Sequence, residues 1–233
     1  MTVGPFYQTG INYYVPKMQA APGVGDDGLH SVSLGMPANA SVNAIVPTAN
    51  GSITNAVKVF NAALLPVIFP YVIDALFGRA VQATGGTAGD NAVLTIRGID
   101  YLGQPTAENV TLNGTASVNG NKAFKRVDSV TVAAGNANAA SSIQIGTTNR
   151  LGLPFKTIIV LAEFNNDSLA AAGTLVQPNT TDPSTLVSGD PRGTYTPAST
   201  LNGANVISIT ARASTARNIN DNGGLHGIRQ FFS

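Results

Sequence analysis

The stretch "NAVLTIRGIDYLGQPTAENVTLNG", residues 91 to 114, decides the fold. β-Branched and apolar residues alternate with polar ones along two runs, Val93 to Tyr101 and Glu108 to Leu112, and the turn-forming letters LGQP lie between them. A period of two places successive side chains on opposite faces of an extended chain. The stretch therefore predicts a β-hairpin.

The same kind of pattern continues from about residue 80 to residue 214. Further strands are predicted at "KAFKRVDSVTVAA" (122–134), "SSIQIG" (141–146), "KTIIVLAEF" (156–164) and "NVISITARAS" (205–214). In the first of these, Phe124 and Val127 break strict alternation, which indicates a bulge. The run from Ile158 to Phe164 is apolar almost throughout, which is typical of a central strand covered on both faces. We expect an all-β domain, a β-sandwich of jelly-roll or immunoglobulin-like topology.

The most apolar segment, Ala56 to Val81, resembles a membrane span only at first sight. Pro66, Pro70 and Asp74 interrupt it, and it lacks the roughly 20 uninterrupted apolar residues that a spanning helix needs. The two prolines make a continuous helix improbable. The segment is expected to form buried core or an interface, and no membrane contact is predicted.

Both ends of the chain combine glycine and asparagine, which favour irregular backbone, with apolar side chains. We predict three parts: an extended N-terminal arm (1–55), the β-sandwich domain (56–214) and a C-terminal arm (215–233). The first arm is either disordered or ordered by a neighbouring subunit, and the second either folds back or docks on a neighbour. The expected contact residues of the arms are Phe6, Tyr7, Tyr13, Tyr14, Ile228, Phe231 and Phe232.

The composition limits the classes of partner. Charged residues make up 11% of the chain, against about 25% in typical soluble domains, so partners are expected to cover much of the surface. The net charge is +1 and no basic run is present, which argues against nucleic-acid binding. The absence of cysteine and of a signal-peptide pattern at the start fits assembly in a reducing cytoplasm.

Residues that could carry chemistry are few and scattered. Asp26 and Asp27 lie in a glycine-rich loop without the ligand spacing of an EF-hand, and we interpret them as a solvated turn. His30 and His226 are far apart in the sequence and have no local ligand partner. The glycines of "GGTAG" (85–89) lack the lysine and the helix of a phosphate loop. We predict no enzymatic activity, metal or cofactor.

A specific turn follows in "IQIGTTNRLGLPF", residues 143 to 155. Gly146, Gly152 and Pro154 are expected to set this turn. Leu151 and Leu153 are expected to fill either the domain's own core or a contact between subunits.

Three parts of the sequence resemble structural proteins of tailed bacteriophages. The first is Leu94 to Val132, with "G-x-D-x-x-G", "LNG" and "KAF" leading to "SVTV"; the others are "IGTTNRLGLP" (145–154) and "DPRGTY" followed by a proline (190–197). The resemblance covers about residues 66 to 214. It is greatest to head decoration proteins, also called capsid cement proteins. These motifs are turns and strands rather than catalytic signatures.

This resemblance implies a virion protein on the outer surface of a phage capsid. Its partners would be the major capsid protein and other copies of itself in a homo-oligomer, for example a trimer, and its arms would extend along capsid subunits. A tail or connector component, or a receptor- or glycan-binding module, is the alternative. A hydrolase with a site shared between subunits is a weaker alternative, testable through Asp26, Asp27 and His30.

Overall fold

A computed structural model describes residues 28–214 and 226–230 of the chain. In this part, one 3-10 turn (Thr48–Asn50) accompanies a series of β-strands. In chain order the strands are β1 (Leu29–Gly35), β2 (Ser52–Thr54), β3 (Lys58–Phe60), β4 (Tyr71–Val72), β5 (Arg79–Gly85), β6 (Val93–Ile99), β7 (Pro105–Thr111), β8 (Val118–Phe124), β9 (Arg126–Val132), β10 (Ala140–Gly152), β11 (Thr157–Asn165), β12 (Ser168–Ala170), β13 (Thr174–Val176), β14 (Thr194–Thr196) and β15 (Ile207–Ala213). The all-β prediction is confirmed.

The strands form three antiparallel sheets. The first has the order β1-β15-β11-β12. The second has the order β13-β14-β10-β5-β8, with β2 also paired to β10. The third has the order β3-β9-β6-β7, with β4 also paired to β9.

One hydrophobic core joins all three sheets, as expected for a β-sandwich. Val32 and Ile209 come from the first sheet, Val81 and Ile145 from the second, and Ile96 from the third; all five are fully buried. Neighbouring residues of the same strands are more exposed, as the period of two requires.

The predicted hairpin at residues 93 to 112 is confirmed. Strands β6 and β7 pair antiparallel from Val93↔Thr111 to Ile99↔Pro105. At the turn, Oδ1 of Asp100 accepts hydrogen bonds from the backbone N–H groups of Leu102 and Gln104, each at 2.9 Å. Gly103 has a φ of 79°, a backbone conformation that favours glycine. The letters LGQP thus encode a turn held by the preceding aspartate.

The break in alternation near Phe124 combines a change of sheet with a bulge of the kind that we expected, since β9 shifts register against β6 where Arg97 pairs with Ser129 and Gly98 with Val127. Strand β8 ends at Phe124 and pairs with β5 in the second sheet, whereas β9 begins at Arg126 and pairs with β6 in the third. The chain therefore changes sheets at Lys125, whose Nζ donates to the backbone oxygens of Ile73 and Ala75. Such a corner changes the face that each side chain occupies, as a bulge also does. The inward positions were predicted correctly, and Phe124, Val127, Val130 and Val132 are fully buried.

Strand β11 is less buried than its sequence predicted. It lies between β15 and β12, as a central strand does. However, Ile159 is 43% exposed and Leu161 is 55% exposed. Two register shifts against β15 change which side chains face the core. The expectation that both faces of β11 are covered was therefore wrong, because the single chain leaves one face exposed.

The predicted N-terminal arm was too long. Strand β1 pairs with β15 along Leu29–Gly35, and β2 pairs with β10. Ile45 and Val46 are fully buried, and the N–H group of each donates to the backbone oxygen of Ile145 at 2.9 Å. Residues 28 to 55 thus belong to the folded domain, whereas residues 1 to 27 lie outside the described residues.

The proline-rich segment from Ala56 to Val81 is not a continuous helix, as predicted. It contains the short strands β3 and β4, with turns between them, and the start of β5. Phe60, Phe69, Ile73 and Phe77 are buried, whereas Val67 is 97% exposed. The segment therefore contributes to both core and surface.

Candidate interaction surfaces

The residues of the predicted turn lie in the core of the domain. Leu151 and Leu153 are each 1% exposed, so they fill the domain's own core. The expectation that Gly146 sets a turn was wrong, because it lies inside β10 opposite Gln82. A Cβ at this position would lie 1.8 Å from the backbone oxygen of Ser41, so the glycine allows residues 41 to 43 to cross the strand closely.

The end of this stretch does bend. Gly152 ends β10, and the chain bends at Pro154 and Phe155 before β11 begins. A Cβ at Gly152 would lie 2.1 Å from the backbone oxygen of Phe77, so close backbone approach again requires glycine. The backbone oxygen of Pro154 accepts a hydrogen bond from the hydroxyl group of Tyr101. The bend is thereby held against the hairpin turn of β6 and β7.

A buried ion-pair cluster joins two of the sequence motifs. Nη1 of Arg192, in the "DPRGTY" motif, lies 3.0 Å from Oδ2 of Asp100, in the "G-x-D-x-x-G" motif. The guanidinium also lies 3.7 Å from Asp190 and packs over the ring of Tyr101. Burial acts to lower the pKa of Arg192, but Asp190 and Asp100 together raise it. The cluster keeps the arginine charged and ties residues 190 to 195 to the hairpin.

A second polar cluster surrounds Lys122, which is fully buried. Its Nζ donates three hydrogen bonds, to the backbone oxygens of Ala107 and Thr185 and to Oγ of Ser184. Oε2 of Glu108 accepts from the backbone N–H of Lys122 and of Asn121. Burial raises the pKa of Glu108 to about 7 and lowers that of Lys122 to about 8. Because the ammonium already uses its three N–H donors, this pair fits a structural role better than a catalytic one.

A third polar cluster, around Glu163, organises the chain before β15. Glu163, on the inward side of β11, accepts from the hydroxyl of Tyr195 at 2.7 Å and from the backbone N–H groups of Ala198 and Ser199. Burial acts to raise its pKa, but the hydrogen bonds from Ser199 and Tyr195 lower it. A polar residue in an apolar strand is thus satisfied by specific neighbours.

Ile228 is the one predicted arm contact that the structure describes, and it is buried by its own chain. The backbone N–H of Ser184 donates to the oxygen of Arg229, and Oγ1 of Thr106 donates to Oε1 of Gln230. This part of the C-terminal arm folds back on the domain, so Ile228 does not present its side chain to a neighbour. The other contact residues, Phe6, Tyr7, Tyr13, Tyr14, Phe231 and Phe232, lie outside the described residues.

The first exposed apolar surface lies on the outward side of the sheet β1-β15-β11-β12. Ile159 and Leu161 of β11 are exposed there, and Leu169 of β12 is 74% exposed. Leu169 pairs with the half-buried Phe164. We call this surface, formed by Ile159, Leu161, Phe164 and Leu169, the outer face. The sequence contained its signal, a long apolar run, but a sequence alone cannot tell which side of a strand remains uncovered.

The second exposed apolar surface comes from the proline-rich segment. It consists of five side chains that are 39% exposed or more, and we call it the 57–72 surface: Val57, Val59, Leu64, Val67 and Val72. Val67 follows directly after Pro66, and Leu64 lies in a turn capped by the side chain of Asn61. Val59 and Val72 lie on short strands that both pair with β9, and exposed apolar residues brought together in this way are typical of contact sites.

Of the remaining candidates, the structure describes His30 and His226. His30 is half-buried against the ring of Phe155, and burial lowers its pKa. His226 is exposed, and Asp26 and Asp27 lie outside the described residues. Within residues 28–214 and 226–230, no group of three or more histidines and carboxylates could hold a metal ion.

In the same residue ranges, no helix is long and apolar enough to cross a membrane. In the comparisons with known proteins, no family model, curated protein or solved structure matches this chain.

Proposed function

We propose that this protein is a structural component of a tailed-bacteriophage virion that binds the assembled capsid and stabilises it. The 57–72 surface carries the proposal, because it presents five exposed apolar side chains on a domain with few charges. The resemblance of three sequence motifs to head decoration proteins supports this choice of partner. The buried clusters around Arg192 and Lys122 account for those motifs as structural features.

The proposed mechanism is cementing. The 57–72 surface contacts the major capsid protein, and the chain ends add contacts to neighbouring subunits. A protein that binds the assembled shell but not its dissociated subunits shifts the equilibrium toward the shell. Capsids carrying it should therefore resist heat and internal DNA pressure better than capsids without it.

Co-sedimentation with assembled capsids that lack the protein tests this proposal. Wild-type protein is expected to bind saturably, and the double variant Leu64→Ser, Val67→Ser to bind at least about 10-fold more weakly, which corresponds to about 1.4 kcal/mol. Val187→Ser is the control, because Val187 is also largely exposed but lies outside the 57–72 surface. Circular dichroism should show all variants folded.

Two results would contradict the proposal. If wild-type protein stays in the supernatant with capsids, the capsid is not its partner. Co-sedimentation with purified tails instead would favour a tail or connector component, and binding to host-surface glycans a receptor-binding module. If the double variant binds capsids as tightly as wild-type protein, the 57–72 surface is not the contact.

A further inference from the structure

The rows of paired residues define the geometry of the outer face. Leu29 of β1 pairs with Arg212 of β15, which pairs with Ile159 of β11. These three residues form the row at one end of the sheet. At the other end, Ser33 pairs with Ser208, Ser208 with Phe164, and Phe164 with Leu169. All of these side chains are exposed or half-buried, whereas the alternate positions Val32 and Ile209 are buried.

The outer face has two halves of different polarity. Strands β11 and β12 provide the apolar half, with the residues already named. Strands β1 and β15 provide a hydroxyl-rich half with Ser31, Ser33, Ser208 and Thr210. Aromatic side chains with a polar tip suit such a border, because the ring can pack on the apolar half while its hydroxyl bonds to the other.

The N-terminal chain enters the sheet at one end of this face. Strand β1 starts at Leu29, in the same row as Ile159. Strands β1 and β11 both pair antiparallel with β15, so they run in the same direction. The rest of the outer face lies ahead of Leu29, along the direction of β1. To cover Leu161 and Leu169 of its own domain, the preceding chain would have to reverse direction.

The sequence before β1 has the chemistry that this face requires. Residues 1 to 16 contain no charged side chain; the first is Lys17. The side chains among them that could pack on such a surface include Phe6, Tyr7, Ile11, Tyr13, Tyr14 and Val15. Extended, 27 residues span up to about 90 Å, which is enough to reach a neighbouring domain.

We propose that the outer face of one copy binds residues 1–16 of a neighbouring copy. The apolar half receives the aliphatic and aromatic side chains, and the serine and threonine hydroxyls bond to tyrosine hydroxyls. Strand β12, at the edge of its sheet, offers backbone groups to which an extended segment can pair. This inference goes beyond the proposed function, which assigns the 57–72 surface to the capsid, because it assigns the outer face to contacts between copies.

Cysteine cross-linking between two different copies tests the inference, since the wild-type chain contains no cysteine. One copy carries Tyr14→Cys and a size tag, and the other carries Leu161→Cys. They are mixed, treated with a short bismaleimide, and examined both free at high concentration and bound to capsids. The control mixture replaces Leu161→Cys by Val187→Cys, which is also exposed. We expect at least about 10-fold more heterodimer with Leu161→Cys than with the control.

The outcomes separate this inference from the proposed function. Equal cross-linking with Leu161→Cys and Val187→Cys overturns the inference. So does cross-linking that occurs only when Tyr14→Cys and Leu161→Cys are in one chain, because the segment would then cover its own domain. If the copies bind capsids without this heterodimer, the inference fails while the proposed function stands. If they form it free but do not bind capsids, the inference stands while the proposed function fails.

Discussion

Asp100 and Arg192, 92 positions apart in the sequence, form a buried ion pair with a separation of 3.0 Å between Oδ2 and Nη1. Replacing Asp100 by Asn keeps the oxygen that caps the hairpin turn but removes the charge facing the guanidinium. We expect Asp100→Asn to lower the free energy of unfolding by about 3 kcal/mol, because Arg192 stays buried with Asp190 as its remaining carboxylate. Urea unfolding measures this change.

A surface ion pair supplies the control for that prediction. Arg126 and Asp128 lie 2.6 Å apart, and both side chains are 40% exposed. Asp128→Asn should change stability by no more than about 1 kcal/mol, because water screens such pairs. Equal effects of the two substitutions would show that burial does not decide the contribution of the Asp100–Arg192 pair.

Glu108 should make stability depend on pH in a defined window. Its pKa is raised from the ordinary 4.5 to about 7 by burial, so the folded state holds a proton that the unfolded state releases. This contribution to stability is fully present below pH 4.5 and is lost as the pH rises through about 7. It amounts to at most about 3 kcal/mol.

The Glu108→Gln variant removes this titration while keeping a neutral side chain of the same shape. Urea unfolding between pH 4.5 and 7.5 should show wild-type stability approaching or falling below that of the variant as the pH rises. Groups that do not interact with Glu108, such as His30, affect both proteins alike and cancel in the difference. A difference that stays constant across this window would show that Glu108 titrates at its ordinary pKa.

Two leucines allow a matched test of core against surface. Leu153 is 1% exposed and Leu161 is 55% exposed. Leu153→Ala should lower the free energy of unfolding by about 3 kcal/mol through lost burial and a cavity. Leu161→Ala should lower it by less than about 1 kcal/mol in the monomer, but should weaken self-association. Urea unfolding and sedimentation velocity measure the two effects.

The opposite sedimentation result would exchange the roles assigned to Leu153 and Leu161. Loss of association in Leu153→Ala, without loss of stability, would place the contact between subunits at the "LGLP" bend instead.

The sequence predicted well the features that depend on neighbouring residues. The β6–β7 hairpin followed from alternation and from the turn letters LGQP. In β9, Val130 and Val132 followed from the same period, whereas Val127 lies across a register shift against β6. The change of sheet at Lys125 could not be distinguished from a bulge, because both interrupt a period of two in the same way.

Long-range features could not be predicted. Nothing near Arg192 in the sequence indicates that its partner is Asp100, because the fold alone brings them together. The apolar run of β11 was interpreted as doubly covered, yet Ile159 and Leu161 are exposed in the single chain. A run of apolar residues shows that a strand avoids water, but not whether its own chain or a neighbour covers it.

Gly146 should not tolerate a side chain. Gly146→Ala would place Cβ 1.8 Å from the backbone oxygen of Ser41, and relief requires moving the backbone of residues 41 to 43. We expect a loss of about 3 kcal/mol or more, measured as a lower urea midpoint. Gly189→Ala is the control, because its Cβ would meet its nearest neighbour at 3.8 Å. Similar urea midpoints for both variants would show that residues 41 to 43 can move away from β10 without a loss of stability.

The first sheet also sets the order in which the new chain can fold on the ribosome. Among the described strands, β1 pairs with β15 alone, so the earliest strand to be made must wait for the latest. About 170 residues separate them, which corresponds to roughly 10 to 35 s of synthesis. During that time Val32 and Leu34 lack the strand beside them. Productive folding therefore depends on keeping this nascent segment from pairing elsewhere until β15 has been synthesised.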